Sequence, residues 1–147
     1  MGRLGRGTRS GRADFDALLG GEQEIAVRAK ELGELLRETT FETYRFYRDI
    51  APDGRELTAD ERAAALERLE LAAICSRTVD RDRDIVEHVA EGFDLRPTLA
   101  ALRSLQHSLV LALSEDAALR SRAMTVDELQ ARLRPVYEFW LDVLGGE

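Results

Sequence analysis

The stretch EQEIAVRAKELGELLRETTFETYRFYRDI, residues 22–50, decides the fold. Ile25, Ala29, Leu32, Leu36, Thr40, Thr43, Tyr47 and Ile50 recur at intervals of three and four, which places them on one face of an α-helix. Helical throughout, the segment extends roughly 40 Å at 1.5 Å per residue. Gly33 and the Thr39-Thr40 pair are its expected points of bending, and Ala51-Pro52-Asp53-Gly54 is its stop.

The same period continues downstream. Thr58-Ala-Asp-Glu61 is a capping box, in which hydroxyl and carboxylate satisfy each other's orphan backbone amides. It predicts a helix over about 59–76 whose stripe includes Leu66, Leu69 and Ala73, widened by Leu71, Ile74 and Cys75. Ile85, Val86, Val89 and Ala90 follow an Asp-Arg run, and Gly92 suits a C-terminal cap; the pattern leaves 59–91 as one helix or two. Pro97 fits the first turn of a further helix carrying Leu99, Leu102, Leu105, Leu109 and Leu113. A polar connection or short helix covers 114–123. Thr125-Val-Asp-Glu128 is a second capping box, opening a last helix with Leu129, Leu133, Val136, Trp140 and Val143, which Pro135 is expected to kink or split at Arg134.

Composition agrees. Twenty-two leucines stand against twelve valines and isoleucines, and no alternating stretch flanks a tight hairpin turn. The expectation is an all-α, single-domain bundle of about five helices over 13–147, one or two of them long. It follows a flexible Arg/Gly-rich leader, MGRLGRGTRSGR, at 1–12.

Composition also removes function classes. No run of 18 apolar residues occurs, since the richest, Leu105 to Leu113, contains Gln106, His107 and Ser108; no membrane span is expected. No apolar segment follows the basic leader, so it does not resemble a secretory signal. A single cysteine, Cys75, allows no internal disulfide, which fits a reducing cytoplasm. Neither a phosphate loop nor a GxGxxG motif is present, and no glycine elbow surrounds Ser76 or Ser108. An enzyme is not the expected reading, and no cofactor is expected.

Four places can carry chemistry. His88 and Glu91 lie one helical turn apart with Asp84 a turn earlier, a weak metal candidate because helical di-metal sites need more carboxylates and a second such pair. His107 sits beside the apolar stripe and is expected to bond a neighbouring helix; a haem site would require an apolar pocket around one of the two histidines. Thr39 to Arg48 is the most unusual local composition, with Thr40, Tyr44, Tyr47 and Arg48 as candidates for a ligand pocket or docking face. Tyr137, Phe139 and Trp140 place aromatic groups on more than one side of the last helix, which suits burial against both the bundle and a partner.

The leader holds Arg3, Arg6, Arg9 and Arg12 with no acid, leaving 17 basic against 28 acidic side chains in the body. Such a tail offers contact to an acidic protein surface. Four neutralised phosphates give an affinity that falls roughly 100-fold between 50 and 200 mM salt, so nucleic-acid binding is a weak possibility. The leading expectation is a non-enzymatic helical interaction protein, a regulatory, adaptor or assembly subunit that self-associates or binds a protein partner. A small-ligand-binding domain built on Thr39–Arg48 is second, and a metal- or haem-dependent helical protein third.

Overall fold

A computed structural model of the chain describes residues 17–82 and 94–145, with side chains over 27–82 and 94–144. Among the described residues there are five helices and no strand: α1 (Ala17–Ile50), α2 (Ala59–Arg81), α3 (Arg96–Ala112), α4 (Ala117–Arg120) and α5 (Val126–Gly145). The all-α expectation is met. The chain divides into two compact units, Leu35–Arg81 with Leu95–Glu147, and Met1–Glu34 with Asp82–Asp94. In the latter, Ala29 and Leu32 are buried on α1, and the Arg28 guanidinium holds Asp82 at 2.8 Å. The leader arginines Arg3, Arg6, Arg9 and Arg12, and the metal candidates Asp84, His88 and Glu91, lie outside the described residues.

The larger unit is organised around α3. Its Leu102, Leu105 and Leu109 are wholly buried, together with Leu95 just before it, and α3 packs against both α2 and α5. Leu36, Thr40, Thr43 and Tyr47 of α1 are buried at the spacing read from the sequence. On α2 the outcome differs. Its buried face is Ala65, Ala72, Cys75, Ser76 and Val79, whereas Leu66, Leu71 and Ile74 are exposed. The leucines of α3 occupy the volume between the two helices, so α2 turns its small side chains inward and its larger ones out. Ser76, donating to Gln106 Oε1 at 3.0 Å, fixes that register.

The helix ends follow their local chemistry. Both capping boxes close in both directions: Thr58 N–H donates to Glu61 Oε1 (2.9 Å) and Glu61 N–H to Thr58 Oγ1 (3.1 Å). Thr125 and Glu128 repeat the exchange at 3.0 and 3.1 Å. α1 stops where Ala51, Asp53 and Gly54 adopt positive φ values of 43°, 45° and 80°. The expected break at Pro135 does not occur, and α5 runs through it. Pro135 is exposed, while Leu133, Val136 and Trp140 on either side are buried, so packing of both halves offsets the missing N–H and the helix is not split at Arg134.

Arginines fasten the turns. Arg55 forks onto Glu61 (2.8 and 2.9 Å) and donates to Ile50 O, the last carbonyl of α1. Arg62 donates to Leu113 O at the end of α3. Arg120 bonds Gly54 O, Ser114 O and Glu115 O, each at 3.1 Å. Guanidinium, planar with five donors, suits this capping of carbonyls better than an ammonium does. The preference for 20 arginines over one lysine, which by itself reads as a coding bias, thus has structural uses.

Candidate functional site

Two segments that lie some ninety residues apart in the sequence meet along one side of the larger unit. From α1, Phe41, Tyr44, Arg45 and Arg48 project at intervals of three and four; from α5, Leu133, Arg134, Tyr137 and Leu141 do the same. Between them is a half-open groove of about 520 Å³ with an apolar floor. Phe41 and Tyr137 meet edge to face across it, ring centroids 6.0 Å apart. Tyr137 is 54 % exposed and Leu141 51 %, and Leu144 beyond them is 48 % exposed. Large apolar side chains therefore stay half in water along a continuous strip.

The charges of this groove are mostly positive. Arg45, Arg48 and Arg134 line it against one acid, Glu138. The Arg48 guanidinium lies 5.9 Å over the Tyr44 ring and 3.4 Å from Asp49. Neither Arg45 nor Arg134 has an ion-pair partner among the described residues, in a chain whose net charge is −7.

The structure separates the sequence candidates. Tyr44, Arg48 and Tyr137 come together in the groove. Thr40 and Tyr47, proposed beside them as ligand-pocket residues, are fully buried and face the core instead. They belong to the apolar stripe of α1, which at about 100° per residue lies roughly 40–100° around the helix from Tyr44 and Arg48. Trp140 is also core: its indole N–H donates to Thr98 Oγ1 at 2.9 Å. Phe139 is half-buried, edge-on to Trp140 at 5.2 Å. Of the three aromatic partner candidates on α5, Tyr137 is the one presented to solvent. His107 is exposed and bonds no described residue, contrary to the expected bond to a neighbouring helix, since the α3 stripe passes through Leu105, Ser108 and Leu109 beside it. Sequence reasoning missed Arg45, Arg134 and Leu141. Their signal was present in the three-four spacing alongside Tyr44 and Tyr137, but no local pattern announces that the two flanks face each other.

Tyr47 has a different occupation. Its hydroxyl lies 2.7 Å from Ser108 Oγ and donates to Met124 O at 2.5 Å, while Met124 N–H donates to Ser108 Oγ at 2.7 Å. One assignment satisfies all three: Tyr47 gives its proton to the carbonyl, so Ser108 gives its own to Tyr47 and accepts from the amide. The closed ring ties α1, α3 and the α4–α5 connection together. Burial pushes the Tyr47 phenol up, against the hydrogen bond from Ser108, which acts the other way. Two nucleophilic side chains are engaged in structure: Ser108 in this ring, and Cys75 buried near Leu35 O, its thiol pushed up by burial. Among the described residues no three metal-ligating side chains cluster. No described helix is long and apolar enough to cross a membrane.

No protein family, curated protein or solved structure matches this chain.

Proposed function

We propose that this chain is a non-enzymatic interaction protein that receives a helical segment of a protein partner in the α1–α5 groove. The observation that carries the reading is the convergence of the Phe41–Arg48 and Leu133–Leu141 flanks on one open, apolar-floored channel with exposed Tyr137 and Leu141. A half-open, apolar-floored channel between two helices suits an amphipathic helix laid lengthwise. Tyrosine and arginine along the walls are the side chains that most often anchor protein interfaces. Three arginines against one glutamate favour a partner helix with acidic flanks.

Affinity capture with the intact chain tests this. The variant Tyr137→Glu plus Leu141→Glu is compared with wild type and with Val110→Glu, an exposed apolar position on α3. Wild type and Val110→Glu retain the same protein, the groove variant loses it by about tenfold or more, and helical circular dichroism is the same in all three. Equal retention by the groove variant refutes the groove as the docking surface. Retention of the chain itself would make the partner a second copy.

A further inference from the structure

A second cavity, about 350 Å³, opens between α3, α5 and the connection that precedes α5. Its polar lining is cationic and hydroxylic: Arg103, Ser104, His107 and Ser108 from α3, Arg122 from the connection and Arg132 from α5, with no carboxylate among the lining residues. In a chain with 28 acids against 21 bases, such a concentration of one sign opposes folding through like-charge repulsion. It calls for a counter-charge.

The arginines here differ from those that fasten the turns. Arg55, Arg62 and Arg120 cap backbone carbonyls, and Arg28 and Arg68 face acids. Arg132 reaches only the Ser104 hydroxyl, at 3.4 Å. Arg122 has no side-chain partner among the described residues, and neither does His107. Arg103 alone is paired, with Asp80 at 2.5 Å on the outer edge. The Tyr47–Ser108–Met124 ring anchors the connection two residues beyond Arg122, so this arginine hangs from a fixed backbone.

We infer that this cavity binds the phosphate group of a small phosphate monoester. Guanidinium forks match the oxygen geometry of phosphate and bond it in pairs. Arg122 and Arg132 take the dianion from two sides, and the Ser104 hydroxyl and His107 ring supply further donors. Leu111 and Met124 form the apolar wall, where the organic part of the ester rests. A lone phosphate leaves a cavity of this volume part empty. The site is separate from the α1–α5 groove, with which it shares no lining residue.

The test is titration of the full chain with ribose 5-phosphate and, in a parallel arm, with inorganic phosphate. Binding is followed by calorimetry and by the His107 ring resonances, one of only two histidine sets in the protein. The expected result is saturable ribose 5-phosphate binding that moves the His107 signals, with inorganic phosphate at least several-fold weaker. Arg122→Gln and Arg132→Gln each weaken it about tenfold or more, and Tyr137→Glu leaves it unchanged. Unaltered circular dichroism and a thermal midpoint no lower than that of wild type in the arginine variants show that the loss is not unfolding. Absence of saturation by either compound at low ionic strength overturns the phosphate site, as does equal binding by the double arginine variant. Equal affinity for phosphate and ester overturns the assignment to an ester.

Discussion

Thr40 and Tyr47 sit seven residues apart on the buried face of α1 and represent opposite outcomes of burying a hydroxyl. The Tyr47 hydroxyl has a donor, an acceptor and a role in joining three segments, whereas Thr40 Oγ1 is buried without a hydrogen-bond partner. A buried polar group left unpaired costs roughly 1–3 kcal/mol, and a shape-matched apolar replacement recovers it. Thr40→Val is therefore expected to raise stability by about 1 kcal/mol in urea unfolding. Tyr47→Phe removes the proton that Met124 O accepts and strands Ser108, and should lower stability by about 1–3 kcal/mol by the same measurement. Opposite signs from two hydroxyl deletions on one helical face are a sharp requirement. Both residues looked alike in the sequence, because spacing tells which face a side chain occupies and not whether a partner from sixty residues away arrives to meet it.

At the scale of the elements, the clearest electrostatic feature is the start of α2. Arg55 and the Thr58 amide hold the Glu61 carboxyl down to about 2 from its usual 4.5, Arg55 being the larger cause. A folded-state value below the unfolded one stabilises the native chain above pH 4.5, and the contribution disappears as pH falls from there towards 2. Glu61→Gln keeps an oxygen for the Thr58 amide but loses the charge. Its thermal midpoint should lie below wild type at pH 6, and the two should converge as the melts are repeated down to pH 2. A gap independent of pH would show that the Arg55 pair contributes nothing. Helices and their caps were legible because each rests on residues within four positions of one another: both capping boxes formed as read, and the α1 stripe from Ala29 to Tyr47 is buried. The α2 face was misread, since its orientation depends on the leucines of α3 and not on its own composition. A split at Arg134 does not follow from Pro135, since α5 continues through it with buried side chains on both sides of the proline.

At the scale of the larger unit, two surfaces emerge that no single helix displays: the apolar groove between α1 and α5, and the cationic cavity between α3 and α5. Half of the groove was visible as the odd composition of Thr39–Arg48, and half as the aromatic end of the chain. Their meeting depends on the bundle order, which periodicity does not encode. The basic leader is legible in the sequence because its four arginines fall within twelve residues; Arg45 and Arg134, or Arg122 and Arg132, are equally basic but converge only after folding. Site-specific photo-crosslinking reports what occupies the α1–α5 groove. A benzophenone side chain placed at Tyr137 in the intact chain, expressed in its native cell, should give one dominant protein adduct, attached to an acidic amphipathic segment of the partner. The same group at Val110 should give none. Adducts of equal yield at both positions, or none at Tyr137, would contradict the assignment of the groove as the docking surface.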